Sequence, residues 1–219
     1  KPNGRMGIVL PESVFDTSEN KYIRLFLFKY FNIKAIVSLP QLTFAPFTST
    51  KTSILFAQKK TEDQLSNYIK EWKAFEVEYF NLFTKVKNYT KVYFENKDIK
   101  KLPSIKDETE AEKLKNVLNF LQISSDEKNV KSILSKNSEL LELFKMKKHG
   151  IANENWIFNK ISKKIKSEIY YYQADEVGYK RTKIKIKKRE NDLFNTDQKR
   201  KLKLDGKLIK EIRKDIKWQ

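Results

Sequence analysis

Three short apolar runs, all within the first 58 residues, constrain the fold of this chain more than any other feature. They are residues 7–10 (GIVL), 33–39 (IKAIVSL) and 52–57 (TSILFA). Each is too short for a buried helix and carries the branched apolar residues that a covered strand uses. The first, closed by Pro11, is expected to be buried on both faces. Between the first and second runs, residues 19–31 distribute Tyr22, Ile23, Leu25, Phe26, Leu27, Tyr30 and Phe31 around much of a helix, preceded by the capping types Asp16, Thr17 and Ser18. That helix is expected to be largely buried. Strand, helix, strand, loop, strand predicts part of an α/β sheet. The loop PQLTFAPFTSTK carries two prolines and two phenylalanines.

The middle of the chain changes period. Residues 62–83 place Leu65, Tyr68, Ile69, Trp72, Phe75, Tyr79, Phe80 and Phe83 at spacings of three and four, a helical stripe. Thr109 with Glu112 has the spacing of a capping box ahead of Leu114, Val117, Leu118 and Leu121. Ser124 with Glu127 repeats it ahead of Val130, Ile133 and Leu134, and residues 138–147 extend the helical region. Residues 89–103 read as either a short strand or a loop. Trp156, Ile157, Ile161 and Ile165 form one face of a further helix whose other positions include Lys160, Lys163, Lys164 and Lys166, read as solvated surface. Residues 168–174 (EIYYYQA) and 183–187 (KIKIK) then alternate like strands, with residues 177–181 as the turn of a hairpin. The tail, residues 198–219, is expected to end in a helix. The boundaries are therefore 1–60 for the sheet, 61–167 for a mainly helical segment, and 168–219 for a basic β-hairpin with a C-terminal helix.

Charge and composition narrow the function. There are 46 Lys plus Arg against 28 Asp plus Glu, a net +18, and the last 69 residues hold 20 bases against 10 acids. Such a field favours a polyanion, first of all nucleic acid, because neutralised phosphates release condensed counterions. Only 6 of the 46 bases are Arg. A coding bias toward Lys explains that preference but not the shortage of acids. Without Cys there is neither a disulfide framework nor a thiolate metal site, and one histidine, His149, excludes His-based triads and multi-His metal centres. His149 itself sits in KMKKHG at an expected helix end, where a cation suits the helix dipole. No run reaches the roughly 18 apolar residues of a membrane span, and the first residues lack a secretory signal. The chain is therefore expected to be soluble, cytoplasmic and without a membrane partner.

Two separated segments carry a resemblance. GRMGIVLPES, a helix and NIKAIVSLPQLTFAPFTSTKTSILFAQKK at the start, and IYYYQADEVGYKRTKIKIKKRENDLF far downstream, occur in the order found in the methyltransferase subunit of type I restriction-modification systems. The sequence resembles that family and related N6-adenine DNA methyltransferases. The resemblance implies the last strands of a Rossmann-like methyltransferase sheet, with a helical insertion and a C-terminal hairpin plus helix. It also implies methyl transfer from S-adenosylmethionine to adenine in duplex DNA by base flipping. The family's Gly-rich cofactor loop and Asn-Pro-Pro-Phe or Tyr catalytic loop do not occur here, and the family places both ahead of the strand matching GIVLP. By resemblance, then, this is the C-terminal portion of such an enzyme. Cofactor-binding and catalytic residues are expected in an N-terminal part, and this portion alone is expected to be inactive. The implied partners are duplex DNA, the remainder of the methyltransferase, a specificity subunit and a restriction subunit. The other reading, from a different class, is a non-enzymatic nucleic-acid-binding or scaffold module; an upstream sequence without the two missing loops would favour it.

The site residues follow from the resemblance. Members of the family hold the extruded adenine against an aromatic that precedes a Lys-Thr-Ser sequence, here Phe44-Ala45-Pro46-Phe47-Thr48-Ser49-Thr50-Lys51-Thr52-Ser53. Counting back from Lys51, Phe47 is the better match and Phe44 the second; the alternative is that both merely pack the loop on the sheet. Lys51 is a candidate DNA-backbone contact. The residues themselves supply a second basic surface. Lys180, Arg181, Lys183, Lys185, Lys187 and Lys188 cluster beside Tyr179, and alternation puts Lys183, Lys185 and Lys187 on one face. That face is either a phosphate rail or an edge strand guarded by lysines. Lysines at phosphate distance position a duplex without reading its sequence.

Overall fold

The structure is a computed structural model that describes residues 1–98, 101–102, 105–145, 153–165, 167–181, 186–191, 195–196 and 202–203, several of them by backbone alone. The protein is mixed α/β and divides into two units, Lys1–Ile69 with Lys166–Gln219, and Lys70–Ile165.

The first unit is built on a four-stranded sheet. Strand β1 is Arg5–Pro11, followed by the short helix α1 (Ser13–Asp16), α2 (Lys21–Tyr30), β2 (Phe31–Ser38) and β3 (Thr52–Lys59); β4 is Tyr170–Gln173. Their spatial order is β1-β3-β2-β4. Strand β3 runs antiparallel to both β1 and β2, while β2 and β4 are parallel, so β1, β2 and β4 all point one way. All three apolar runs of the sequence are thus strands of one sheet. On one face Ile33, Leu55 and Ala57 are buried beneath Phe15, Leu27, Phe28 and Phe31; on the other Val37, Leu39 and Ala174 pack with Ile54, Phe56, Tyr170 and Tyr172. Burying a side chain such as Leu55 contributes roughly 1.5–3 kcal/mol.

Two expectations fail here. Strand β1 is not buried on both faces: five of its seven residues are exposed, Ile8 and Val9 among them. Within the described sheet it is an edge strand, and Ile8 and Val9, which as neighbours point to opposite faces, are both left uncovered. Helix α2 buries no residue fully, and Tyr22 and Phe26 are exposed, because the sheet covers only the side carrying Leu27 and Phe28. Its N-cap is Asn20, not one of residues 16–18, and the Asn20 side chain donates instead to Ser13 O and Thr17 Oγ1.

The C-terminal strands also pair differently from the sequence reading. Strand β4 joins the main sheet beside β2, and residues 177–181 are not a turn but β5 (Val177–Arg181), antiparallel to β6 (Ile186–Asn191). A register shift separates Val177 from Tyr179, and Gly178 sits there at φ 87°, which a side-chain-bearing residue adopts only with strain. Two short strands, β7 (Asn195–Thr196) and β8 (Leu202–Lys203), form a third sheet. The expected terminal helix and the segment 182–185 lie outside the described residues.

The second unit is helical. Helix α3 (Glu62–Phe94), which belongs to this unit from Lys70 on, is 33 residues long, which at 1.5 Å per residue makes it about 50 Å. Thr61 and Gln64 start it with reciprocal bonds, Gln64 N–H to Thr61 Oγ1 at 3.2 Å and Thr61 N–H to Gln64 Oε1 at 3.1 Å. It continues through residues 89–94, where the sequence left strand or loop open. The Thr109/Glu112 capping box is present at the start of α4 (Glu110–Leu121). The Ser124/Glu127 pair is not a cap: α5 (Val130–Lys136) starts from Asn129, whose side chain accepts from Ser132 N–H. Helices α6 (Glu139–Lys145) and α7 (Glu154–Lys164) complete the unit. Tyr79 and Phe83 of α3 interlock with Phe120, Phe144 and Trp156, at ring separations of 5.2–6.2 Å. Trp156 Nε1–H donates to Phe120 O at 2.8 Å. Lys160, expected in solvent, instead donates to Asn119 Oδ1 and pairs with Glu78 at 3.3 Å. Among the described residues no helix is long and apolar enough to cross a membrane.

Candidate functional site

Because β1, β2 and β4 are codirectional, their C-terminal ends and the start of β3 share one edge of the sheet. In open α/β sheets ligands bind outside the carboxyl ends of the strands. The loop of residues 39–51 leaves from this edge and returns to it.

The root of the loop is pinned by Glu12, the residue directly after β1. Its Oε1 accepts from Ser38 Oγ at 2.8 Å and from Ser53 Oγ at 3.2 Å, so one carboxylate holds the last residue before the loop and the second residue of β3. Both serines are buried. The Glu12 N–H donates to Lys51 O at 3.0 Å, and Leu39 N–H donates to Thr52 O at 3.0 Å. Lys51 Nζ closes the neck by donating to Leu39 O. That bond uses one of three ammonium donors, so the candidate phosphate contact has a structural duty as well. Beyond the neck the loop folds on itself through Thr43 N–H to Pro40 O, Ala45 N–H to Leu42 O and Phe47 N–H to Phe44 O. Gln41 Nε2 also donates to Ser49 O at 2.7 Å.

The two phenylalanines differ sharply on this scaffold. Phe47 is 83% exposed and Phe44 37% exposed.

The hairpin β5–β6 reaches the same loop, since Tyr179 Oη donates to Thr43 O at 2.8 Å. In the hairpin's register Tyr179 faces Lys188, Lys180 faces Lys187 and Arg181 faces Ile186. Lys188 and Arg189 are exposed. The backbone thus places Lys180, Arg181 and Lys187 in the hairpin, whereas Lys183, Lys185 and His149 lie outside the described residues. The structure brings the aromatic loop and part of the basic hairpin together. Sequence reasoning assigned no role to Glu12 or Ser38, and it met Ser53 only as the end of the Lys-Thr-Ser sequence, not as a clamp. Their signal was a polar residue closing or interrupting each apolar run, too common a feature to single out.

The shifted lysine lies elsewhere. Lys60, just past β3 at the opposite edge, is pushed down to about 8 by burial. Its Nζ donates to Phe28 O and Phe31 O, at 2.6 Å each, across the end of α2, and lies 5.4 Å from the Tyr68 ring centre. Burial pushes the Tyr68 hydroxyl up to about 12. This pair belongs to the helix terminus, not to the loop site.

Among the described residues no group of three or more His, Asp or Glu is placed to hold a metal ion. The described residues also do not fit a nucleoside cofactor. The strand-to-helix turns, Glu12 and Lys60-Thr61, contain no glycine, and Gly7 lies within β1, paired with Phe56, where a Cβ would stand 3.5 Å from the Phe56 ring.

The sheet unit thus sets an aromatic loop on its carboxyl edge beside the β5–β6 hairpin, the two joined by the Tyr179–Thr43 hydrogen bond. Residues 1–140 match the family of N-6 DNA methylases, well over half of the chain, and the protein belongs to that family. Enzymes of the family act on DNA and generally use S-adenosylmethionine. A search of the curated proteins found no significant match.

Proposed function

We propose that this chain supplies the base-contacting end of the catalytic sheet of a type I-like DNA adenine N6-methyltransferase, with Phe47 as the side chain that packs on the extruded adenine. The observation that carries this is Phe47 itself, 83% exposed on a loop anchored to the carboxyl edge by five hydrogen bonds. An adenine amino group inside a duplex is reached only by rotating the base out of the stack, and an apolar or aromatic surface must receive it. Phe44, one turn earlier and less exposed, is the reserve candidate. Lys51, the hairpin residues Lys180, Arg181 and Lys187, and Lys183 and Lys185 of the intervening sequence hold the DNA backbone. The antiparallel β2–β3 pair agrees with the Rossmann-like sheet that the resemblance implies. The exposed outer edge of β1, with Ile8 and Val9, suits pairing with a further strand from the remainder of the methyltransferase. That remainder is where S-adenosylmethionine is held, since the described residues here do not fit it. Target choice belongs to a specificity subunit, and a restriction subunit completes the cytoplasmic assembly.

One experiment separates the base contact from the backbone contacts. In the assembled methyltransferase, Phe47→Ala is expected to cost on the order of 1–3 kcal/mol in base extrusion, read by 2-aminopurine fluorescence at the target position, with duplex affinity and its salt dependence unchanged. Replacing Lys183, Lys185 and Lys187 with Gln is expected to do the reverse, flattening the slope of log affinity against log salt by about 0.9 for each phosphate left unneutralised. Normal extrusion and turnover in Phe47→Ala with a defect in Phe44→Ala moves the assignment to Phe44. No defect in either overturns the base-contact reading.

A further inference from the structure

Tyr179 joins two elements that the proposed function uses separately. Its hydroxyl donates to the backbone carbonyl of Thr43, 136 residues away in sequence. Thr43 is buried and immediately precedes Phe44, and its own N–H and Oγ1 both bond to Pro40 O, so the residue is fixed within the loop's first turn. Tyr179 immediately precedes Lys180 and pairs across the hairpin with the exposed Lys188. Packing between loop and hairpin is otherwise incomplete. A cavity of about 220 Å³ opens between residues 40–43 of the loop and residues 175–177 of the hairpin's approach, with Tyr179 on its wall. Val177 packs against the cluster that holds Leu39 at the loop's root, and beyond the cavity the Tyr179 hydroxyl makes a directed hydrogen bond to the loop's first turn.

We propose that Tyr179 is a positioning residue that couples duplex engagement to the base-contact loop: a hairpin held on the DNA backbone holds Thr43 through the tyrosine hydroxyl, and Thr43 holds the turn that carries Phe44 and Phe47. The proposal rests on the functional reading above. The loop's root is independent of this bond, being set by Glu12, Lys51 and the β2–β3 ladder. Removing the hydroxyl therefore loosens the link without unfolding the loop's base.

The test is hydrogen exchange of the loop amides of residues 43–45, 47 and 48 in the full chain, free and saturated with a short duplex, in the wild type and in Tyr179→Phe. Duplex affinity and its salt slope are followed in parallel by fluorescence anisotropy. In the wild type, duplex binding is expected to slow loop exchange. In Tyr179→Phe, affinity and salt slope are expected to stay within twofold, while the bound-to-free slowing falls about fivefold, the scale of one net hydrogen bond. A tether with a purely structural role would speed exchange equally in both states and leave that ratio unchanged, which overturns the coupling. So does a loss of affinity in Tyr179→Phe, which would place the hydroxyl's effect in hairpin docking, and so does a wild-type loop whose exchange ignores the duplex. A wild-type chain that binds no duplex defeats the functional reading itself and the coupling with it.

Discussion

The two units of this protein differ in where their largest side chains go. The helical unit, though it exposes Val77, Phe94 and Ile123, gathers Tyr79, Phe83, Phe120, Phe144 and Trp156 into one buried cluster of touching rings. The sheet unit leaves Ile8, Val9, Tyr22, Phe26, Leu42, Phe44 and Phe47 exposed along one edge strand, one helix and one loop. Apolar surface costs free energy when left in water, and a large exposed area of it marks a contact surface. The difference separates a unit that satisfies its own core from one whose surface suits additional partners. It follows that mutations in the two units should report on different properties.

The largest expected effect is in the helical unit. Trp156→Ala removes a ring packed against Tyr79 at 5.5 Å and frees the Phe120 carbonyl that the indole N–H satisfies. It is expected to destabilise the helical unit by about 3–5 kcal/mol, seen by native-state hydrogen exchange in α4 and α7. A loss below about 1 kcal/mol would mean that the ring cluster is loosely packed, and the contrast between the units would fail.

A smaller effect, opposite in sign, distinguishes the units by pH. The Lys60 ammonium sits near 8 in the folded chain against 10.5 ordinarily, so between those values the unfolded chain binds the extra proton. Stability of the sheet unit therefore rises as pH increases from about 8 toward 10. Above pH 10 the raised Tyr68 works the other way, because the unfolded tyrosine ionises first and stability is lost as pH climbs toward 12. Among the described residues of the helical unit, the groups shifted in the alkaline range are Tyr79, Tyr89 and Tyr93, all pushed up by burial, with Glu108 beside Tyr89 and Glu110 beside Tyr93 adding to it. That unit should show no rise between pH 8 and 10, only a fall above it. Exchange rates corrected for intrinsic chemistry check both, and Lys60→Met should abolish the rise in the sheet unit. A rise that survives Lys60→Met would assign it to another group.

How far these features were legible depended on the distance over which each is decided. The three strands in residues 1–60 and the Thr109/Glu112 cap were readable because composition and three-residue spacing decide them locally. The burial of β1 was not, since it depends on the neighbours of a strand and not on the strand's own residues. Tyr170–Gln173 alternates as a strand should, yet nothing in YYYQ says that it pairs in parallel with β2, over 130 residues back, in preference to the next segment. Ser124 and Glu127 have the spacing of a cap, but Asn129 stands directly before Val130 and takes the role. The loop's phenylalanines were visible through the family resemblance. The Glu12 clamp and the Tyr179 tether were not, because each joins residues with no shared spacing.

The smallest expected effect is the one that tests the sheet unit most directly. Phe47→Ala removes a side chain that is already 83% in solvent, from a loop whose shape is set by backbone bonds and by Glu12, Lys51 and Gln41. Surface substitutions away from caps and buried networks stay within about 0.5 kcal/mol, and the stability of the sheet unit should change by no more than that in urea denaturation. Phe44→Ala, at 37% exposure, should cost more than Phe47→Ala because more of its ring is covered. If instead Phe47→Ala destabilises by about 1 kcal/mol or more, the ring supports its own loop and the reason for assigning it to a substrate base disappears. A near-zero cost combined with a lost 2-aminopurine signal in the assembled enzyme would separate function from stability at this position, the reverse of Trp156.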